Sequence, residues 1–154
     1  MKNIAIVLAL ALFSSVAMGQ KVNYSGEWKL NEDKSELGYE FSLAPASITV
    51  AHVKKTLDLK TVGVFDGREV VSEQHYTLDG KECENPGFMD SVTRSTAHVD
   101  RKTKAIKIVT LGSVEGMDYT LSQNISLKEG KLVVQSEAVS DMGELVETQV
   151  YDKQ

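Results

Sequence analysis

Met117-Asp118-Tyr119-Thr120-Leu121-Ser122-Gln123-Asn124-Ile125-Ser126-Leu127 decides the fold. Met117, Tyr119, Leu121, Ile125 and Leu127 fall on one face, with Gln123 among them. Asp118, Thr120, Ser122, Asn124 and Ser126 fall on the other. A period of two with one apolar side is that of a strand buried on one face and wet on the other. Lys128-Glu129-Gly130-Lys131 then turns the chain, and Leu132–Val139 returns. The same alternation recurs over Tyr24–Leu30, Ala46–Val53, Thr56–Phe65, Glu69–Leu78, Met89–Val99, Lys104–Leu111 and Glu144–Tyr151. Turn residues interrupt it every 8–12 positions or so, the signature of an all-β barrel or sandwich.

The connections set the topology. Asp66-Gly67 and Asp79-Gly80 read as tight hairpins, because Gly accepts the positive φ that such turns need. Asp100–Thr103 and Asp141-Met142-Gly143 are polar turns. Thr56–Phe65 changes its apolar face near Thr61, where Leu57 and Leu59 give way to Val62 and Val64, and a β-bulge there is expected. Short connections permit only antiparallel neighbours, so eight to nine strands form an up-and-down meander. Closure into a barrel removes the two unpaired edges, and is favoured over the alternative, a β-sandwich. One connection, Asn31–Pro45, is long. Asn31 can cap a short helical turn through Asp33, Lys34 and Ser35. The loop is placed to cover one mouth of the barrel.

The N-terminus reads as an address. Lys2 is followed by an unbroken apolar run from Ile4 to Phe13, and Ala17-Met18-Gly19 puts small residues where a signal peptidase cleaves. The run is too short to span a bilayer as a helix, which takes about 20 residues. The expected organisation is a signal peptide over Met1–Gly19 and a single domain over Gln20–Gln154, in the periplasm or secreted. No lipobox cysteine stands at the cleavage point.

Composition narrows the function classes. In 154 residues, 17 Lys+Arg against 22 Asp+Glu give a net charge of −5, a balance that offers no electrostatic reason to bind nucleic acid. Charged residues make up 25% and apolar ones 42%, as in ordinary globular proteins. Cys83 is the only cysteine, so stability must come from packing and strand pairing. Flanked by Glu82 and Glu84, it reads as a small buried residue, with an intermolecular disulfide as the competitor. His52 shares an apolar face with Ile48 and Val50, whereas His75 and His98 fall on polar faces, so no shared metal site is expected. Glu82, Glu84 and Asp90 read as solvated surface. No phosphate loop, Gly-x-Ser-x-Gly or His-Glu-x-x-His is present, and neither an enzymatic constellation nor a cofactor site emerges.

Trp28, the only tryptophan, lies near the start of the first strand. Its large ring reads as a plug closing one barrel end, with Gly26 allowing another group close approach. Ser25-Gly26-Glu27-Trp28-Lys29-Leu30-Asn31, Lys34-Ser35, Tyr76-Thr77-Leu78-Asp79-Gly80-Lys81-Glu82-Cys83-Glu84-Asn85 and Val150-Tyr151-Asp152-Lys153 together resemble a group of small secreted lipocalin-like (calycin-type) proteins of Gram-negative bacteria. The resemblance covers the chain after the leader. It implies fold and compartment, and no particular activity. In the larger lipocalin family an Arg of the last strand packs over the Trp, and here that strand has none.

A barrel of this size holds one small ligand. The expected inward contacts are Ile48, Val50, Leu57, Leu59, Tyr76, Ile106, Ile108, Tyr119, Leu121 and Val134, apolar apart from two phenols. The expectation is an exported protein binding a small hydrophobic or amphipathic molecule. The alternative is a non-enzymatic envelope or protein-interaction module whose barrel is filled by these side chains.

Overall fold

The computed structural model describes residues 21–154, so the leader expected over Met1–Gly19 lies outside the described residues. At Asp66-Gly67, φ is 50° and 71°, and at Glu129-Gly130 it is 52° and 75°. Two successive positive values make the tight hairpin that keeps neighbouring strands antiparallel. Among the described residues the strands are β1 (Gly26–Leu30), β2 (Ser47–Val53), β3 (Thr56–Phe65), β4 (Arg68–Thr77), β5 (Asp79–Pro86), β6 (Val92–Val99), β7 (Ile106–Val114), β8 (Met117–Lys128), β9 (Lys131–Ser140) and β10 (Gly143–Lys153). They form one sheet in the order β4-β3-β2-β1-β10-β9-β8-β7-β6-β5. The first strand thus pairs with the last, Trp28 opposite Lys153 and Leu30 opposite Tyr151. The sheet curls into a barrel with its two ends, β4 and β5, side by side.

The strand missed in the sequence is β5. Its run Lys81-Glu82-Cys83-Glu84-Asn85 shows no apolar alternation. Asp79-Gly80 is not the hairpin turn, since both residues already belong to β5, whose pairing with β6 shifts register between Asp79 and Glu82. Polarity suits β5, because its free edge faces β4 through side chains. The buried Asn85 amide accepts from His75 N at 2.7 Å and donates to His75 O at 3.0 Å, replacing a ladder step. Thr77 N donates to Cys83 Sγ at 3.4 Å. Cys83 is therefore a half-buried part of the seam, not a packed core residue.

The bulge expected near Thr61 is absent. Pairing of β3 with β2 and with β4 runs in unbroken register through that position. Leu57, Leu59 and Thr61 all face inward, and Val62 and Val64 lie on the outer face, Val62 opposite Val71. Apolar outer residues made a straight strand read as a slipped one. At the other end of the hairpin set, the strand expected from Met89 begins at Val92, because Phe88–Asp90 forms a 3-10 turn with Met89 at φ 53°.

One barrel end carries the β2–β3, β4–β5, β6–β7 and β8–β9 connections and is filled with side chains. Tyr24, Trp28, Leu57, Leu78, Ile106 and Leu132 are buried there. The other end carries the Asn31–Pro45 loop and is rimmed by exposed apolar residues, among them Tyr39, Phe41, Phe65, Phe88, Met89 and Met142. Phe65 and Phe88 meet edge to face, their centroids 5.1 Å apart.

Candidate functional site: a roofed cavity in the barrel

Tyr24 lines the floor of the barrel interior, and Trp28 packs against it from the same buried cluster. Trp28 is 3% exposed, and its Nε1 donates to Tyr24 O at 3.1 Å. The Tyr24 hydroxyl donates to Lys104 O at 2.7 Å, tying the floor to the β6–β7 connection. Lys153 of the last strand lies over the indole, Nζ 5.7 Å from the ring centroid, so a lysine supplies the covering cation that the sequence lacked as arginine. A Cβ on Gly26, at φ +147°, would stand 3.1 Å from Lys153 Cε. That close approach is what the glycine permits.

His52 borders this floor, its ring centroid 5.6 Å from that of Tyr24. Its Nδ1 is buried without a hydrogen-bond partner among the described residues. Burial pushes its pKa down, partly offset by a hydrogen bond with the Lys54 backbone. Folding therefore favours neutral His52. Its contribution to stability is fully present above about 6.5, the ordinary histidine value, and is lost as pH falls from there through the lowered folded value. Thermal melts should show wild type losing more stability than His52→Gln between pH 7 and pH 5. Equal losses would remove His52 as the cause. His75 and His98 are exposed, His75 paired with Asp58.

Above the floor is a cavity of about 180 Å³. Ile48 and Val50 of β2 and Leu57 and Leu59 of β3 form one apolar wall, faced by Leu121 and Ile125 of β8 and Leu132 and Val134 of β9. Neutral polar groups interrupt it at Thr61, Gln74, Gln123, Ser136 and Gln149. Along their strands, Gln74, Gln123, Ser136 and Gln149 each lie one inward position nearer the loop than Tyr76, Ile125, Val134 and Tyr151. A polar belt thus sits over an apolar floor. Tyr151 donates to Gln149 Oε1 at 3.0 Å, and Tyr76 donates to Gln74 Oε1 at 3.2 Å. Burial pushes both phenols well above the usual tyrosine range, so they remain donors at neutral pH.

The roof is the Asn31–Pro45 loop, which contributes Leu43 and Pro45. As the sequence implied, Asn31 caps a short turn, here the 3-10 turn Glu32–Lys34, by accepting from Lys34 N. Asn31 also donates to Asp152 Oδ2 at 2.7 Å; the Lys131 ammonium first, and this bond second, hold the Asp152 carboxyl below its usual range. Glu36 and Thr148 exchange two backbone bonds of 2.8 and 2.9 Å. The central fastening is Glu147 of β10, 1% exposed. Its carboxylate accepts from Gly38 N at 2.9 Å, Leu43 N at 3.1 Å and Gln149 Nε2 at 3.0 Å. Three N–H donors satisfy a buried charge that would otherwise be costly. Gly38 makes the loop tight enough to reach it, since a Cβ there would fall 2.0 Å from Phe41 O.

Six of the ten expected inward residues, Ile48, Val50, Leu57, Leu59, Leu121 and Val134, border the cavity. Tyr76, Ile106 and Ile108 are buried but packed in the core beside it. Tyr119 is half-buried and lies over Gly112, which it faces across β7 and β8, where a Cβ would stand 2.4 Å from its ring. Of the polar belt, Gln123 carried a signal, as the polar residue on the apolar face of the clearest strand. Glu147 and Gln149 carried none, because the apolar alternation of β10, Val146 and Val150, lies on the outer face. Among the described residues no group of three or more His, Cys, Asp or Glu gathers as metal ligands would, and no helix is long and apolar enough to cross a membrane.

No protein-family model matches the chain, and no curated protein matches it in sequence. Among the solved structures that resemble it are two lipid-binding proteins by name. Zebrafish ileal bile acid-binding protein, complexed with cholic acid, is 15% identical at a TM-score of 0.57, over 85% of this chain and 98% of that one. Fatty-acid-binding protein 1 of Echinococcus granulosus is 14% identical at a TM-score of 0.51, over 84% and 96%. At such identity the likeness is one of architecture: the chain folds as a calycin-type antiparallel β-barrel.

Proposed function

We propose that this protein is an exported, non-enzymatic carrier that holds a small hydrophobic or amphipathic molecule inside its barrel. The observation that supports this reading most is the 180 Å³ cavity between apolar walls, under a loop fastened from within. An apolar cavity of about 150 Å³ is enough to take up benzene. The occupant of the closed form is thus small, and anything of drug size, needing about 300 Å³ or more, requires the loop to lift. The names of the two similar structures point the same way, one to a bile acid and the other to fatty acids. Ile48, Val50, Leu57, Leu59, Leu121 and Val134 would touch the apolar part of the ligand. Export to the periplasm or medium rests on the leader pattern of Met1–Gly19, and membership of a small secreted lipocalin-like group of Gram-negative bacteria on the motifs around Trp28 and Cys83.

Native mass spectrometry of protein recovered from cells exporting it reads both the N-terminus and any retained ligand. A chain beginning at Gln20 with a displaceable small molecule is the expected result. In titration with a lipophilic fluorophore, Leu121→Trp should weaken binding about tenfold or more by occupying the cavity, a loss comparable to one misfitted apolar group. Unchanged affinity in that variant would place the ligand elsewhere. The exposed apolar rim, including Tyr39 and Met142, favours a second reading as an interaction module. That reading requires no retained ligand and an inert interior.

A further inference from the structure

We propose that the cavity selects uncharged amphiphiles bearing a hydroxyl, carbonyl or amide group, and rejects carboxylates of the same length. This rests on the carrier reading above. The polar side chains lining the cavity, Thr61, Gln74, Gln123, Ser136, Gln149 and the phenol of Tyr24, are all neutral. Every Lys and Arg among the described residues is exposed except Lys131. Lys131 precedes the inward Leu132, so it lies on the outer face, where it pairs with Asp152. The charge that does lie inside is negative: Glu147, joined to the belt through Gln149 Nε2 at 3.0 Å.

Hydrogen-bonding capacity remains where a neutral head group would sit. Gln149 is already engaged, its oxygen accepting from Tyr151 and its nitrogen donating to Glu147 and Ser136. The Gln123 amide and Gln74 Nε2 make no side-chain hydrogen bond among the described residues, and both border the cavity. Together they offer donors and an acceptor, the complement of an alcohol, ester or amide. Donors alone would also suit a carboxylate, so charge decides. An anion here would shed its water with no cation to replace it and with Glu147 close by.

The penalty has a calculable ceiling, because an acid can enter protonated. A simple carboxyl titrates near about 4.3, so at pH 7 the neutral form is scarcer by about 10²–10³-fold. Each unit of acidification restores about tenfold of that form, whereas an alcohol is indifferent to it. The experiment is calorimetric titration of the full exported chain with octan-1-ol and with octanoate at pH 7 and pH 6. The expected result is octanoate binding at least about 100-fold more weakly at pH 7 and recovering about tenfold at pH 6, with octanol unchanged. Octanoate binding as tightly as octanol at pH 7 would overturn this selectivity and leave the carrier reading standing. Failure of both, from protein purified without a retained ligand, would overturn the carrier reading and the selectivity with it.

Discussion

Replacing Trp28 with alanine is expected to lower the thermal unfolding midpoint by about 10–15 °C. Deleting a buried indole costs about 3–5 kcal/mol, from lost apolar burial and from the void left behind. In a chain of this size each kcal/mol moves the midpoint by roughly 3 °C. Three features place Trp28 toward the upper part of that range. It is 3% exposed, it stands on the short strand that closes the barrel between β2 and β10, and its N–H satisfies Tyr24 O at 3.1 Å. The void would also open the cavity floor, so Trp28→Ala should release a bound fluorophore faster. Trp28→Phe keeps most of the buried area and loses the hydrogen bond, and should cost about 1 kcal/mol more than the area change alone. An unchanged midpoint in the alanine variant would mean that the indole is not the plug.

Removal of the Glu147 carboxylate should detach the roof. In Glu147→Ala, Gly38 N, Leu43 N and Gln149 Nε2 lose their acceptor together. Leaving buried donors unpaired costs about 1–3 kcal/mol each when they stay dry. The loop can lift and let water reach them, so about 2–4 kcal/mol for the whole change is expected. Glu147→Gln conserves shape and turns one acceptor into a donor facing other donors, so it should behave like the alanine variant. The decisive measurement is hydrogen exchange. Amides of Gly38 and Leu43 should lose protection in both variants, whereas amides of β7, three strands from β10 in the sheet, should keep theirs. Unaltered protection at Gly38 and Leu43 would show that the loop is held without the carboxylate, by bonds such as the Glu36–Thr148 bridge and Asn31 to Asp152. Ligand exchange should quicken in the same variants, since the roof residues Leu43 and Pro45 move with the loop.

The two variants probe opposite ends of one chamber and differ in how far the sequence foretold them. Trp28 announced itself by its size, its uniqueness and its place on an alternating strand. Glu147 did not. A glutamate between Val146 and Thr148 reads as solvent-facing, yet Val146 is 64% exposed and Glu147 is 1% exposed. β5 was hidden for a related reason. It contributes Cys83 and Asn85 to a seam closed by side-chain hydrogen bonds, so it has no apolar period to display.

Alternation along the chain, the hairpin residues at 66–67 and 129–130, and the apolar faces of β2, β3, β8 and β9 were enough to specify antiparallel strands with an apolar interior, and to favour a barrel over a sandwich. These are local signals, because side chains two apart on a strand share a face wherever that strand is placed. Closure of β1 on β10, and the meeting of Gly38 and Leu43 with a carboxylate more than a hundred positions along the chain, belong to the tertiary structure alone. Which glutamines share a belt, and that no cation joins them, depends on how ten strands are ordered around one axis. No period within a single strand carries that information.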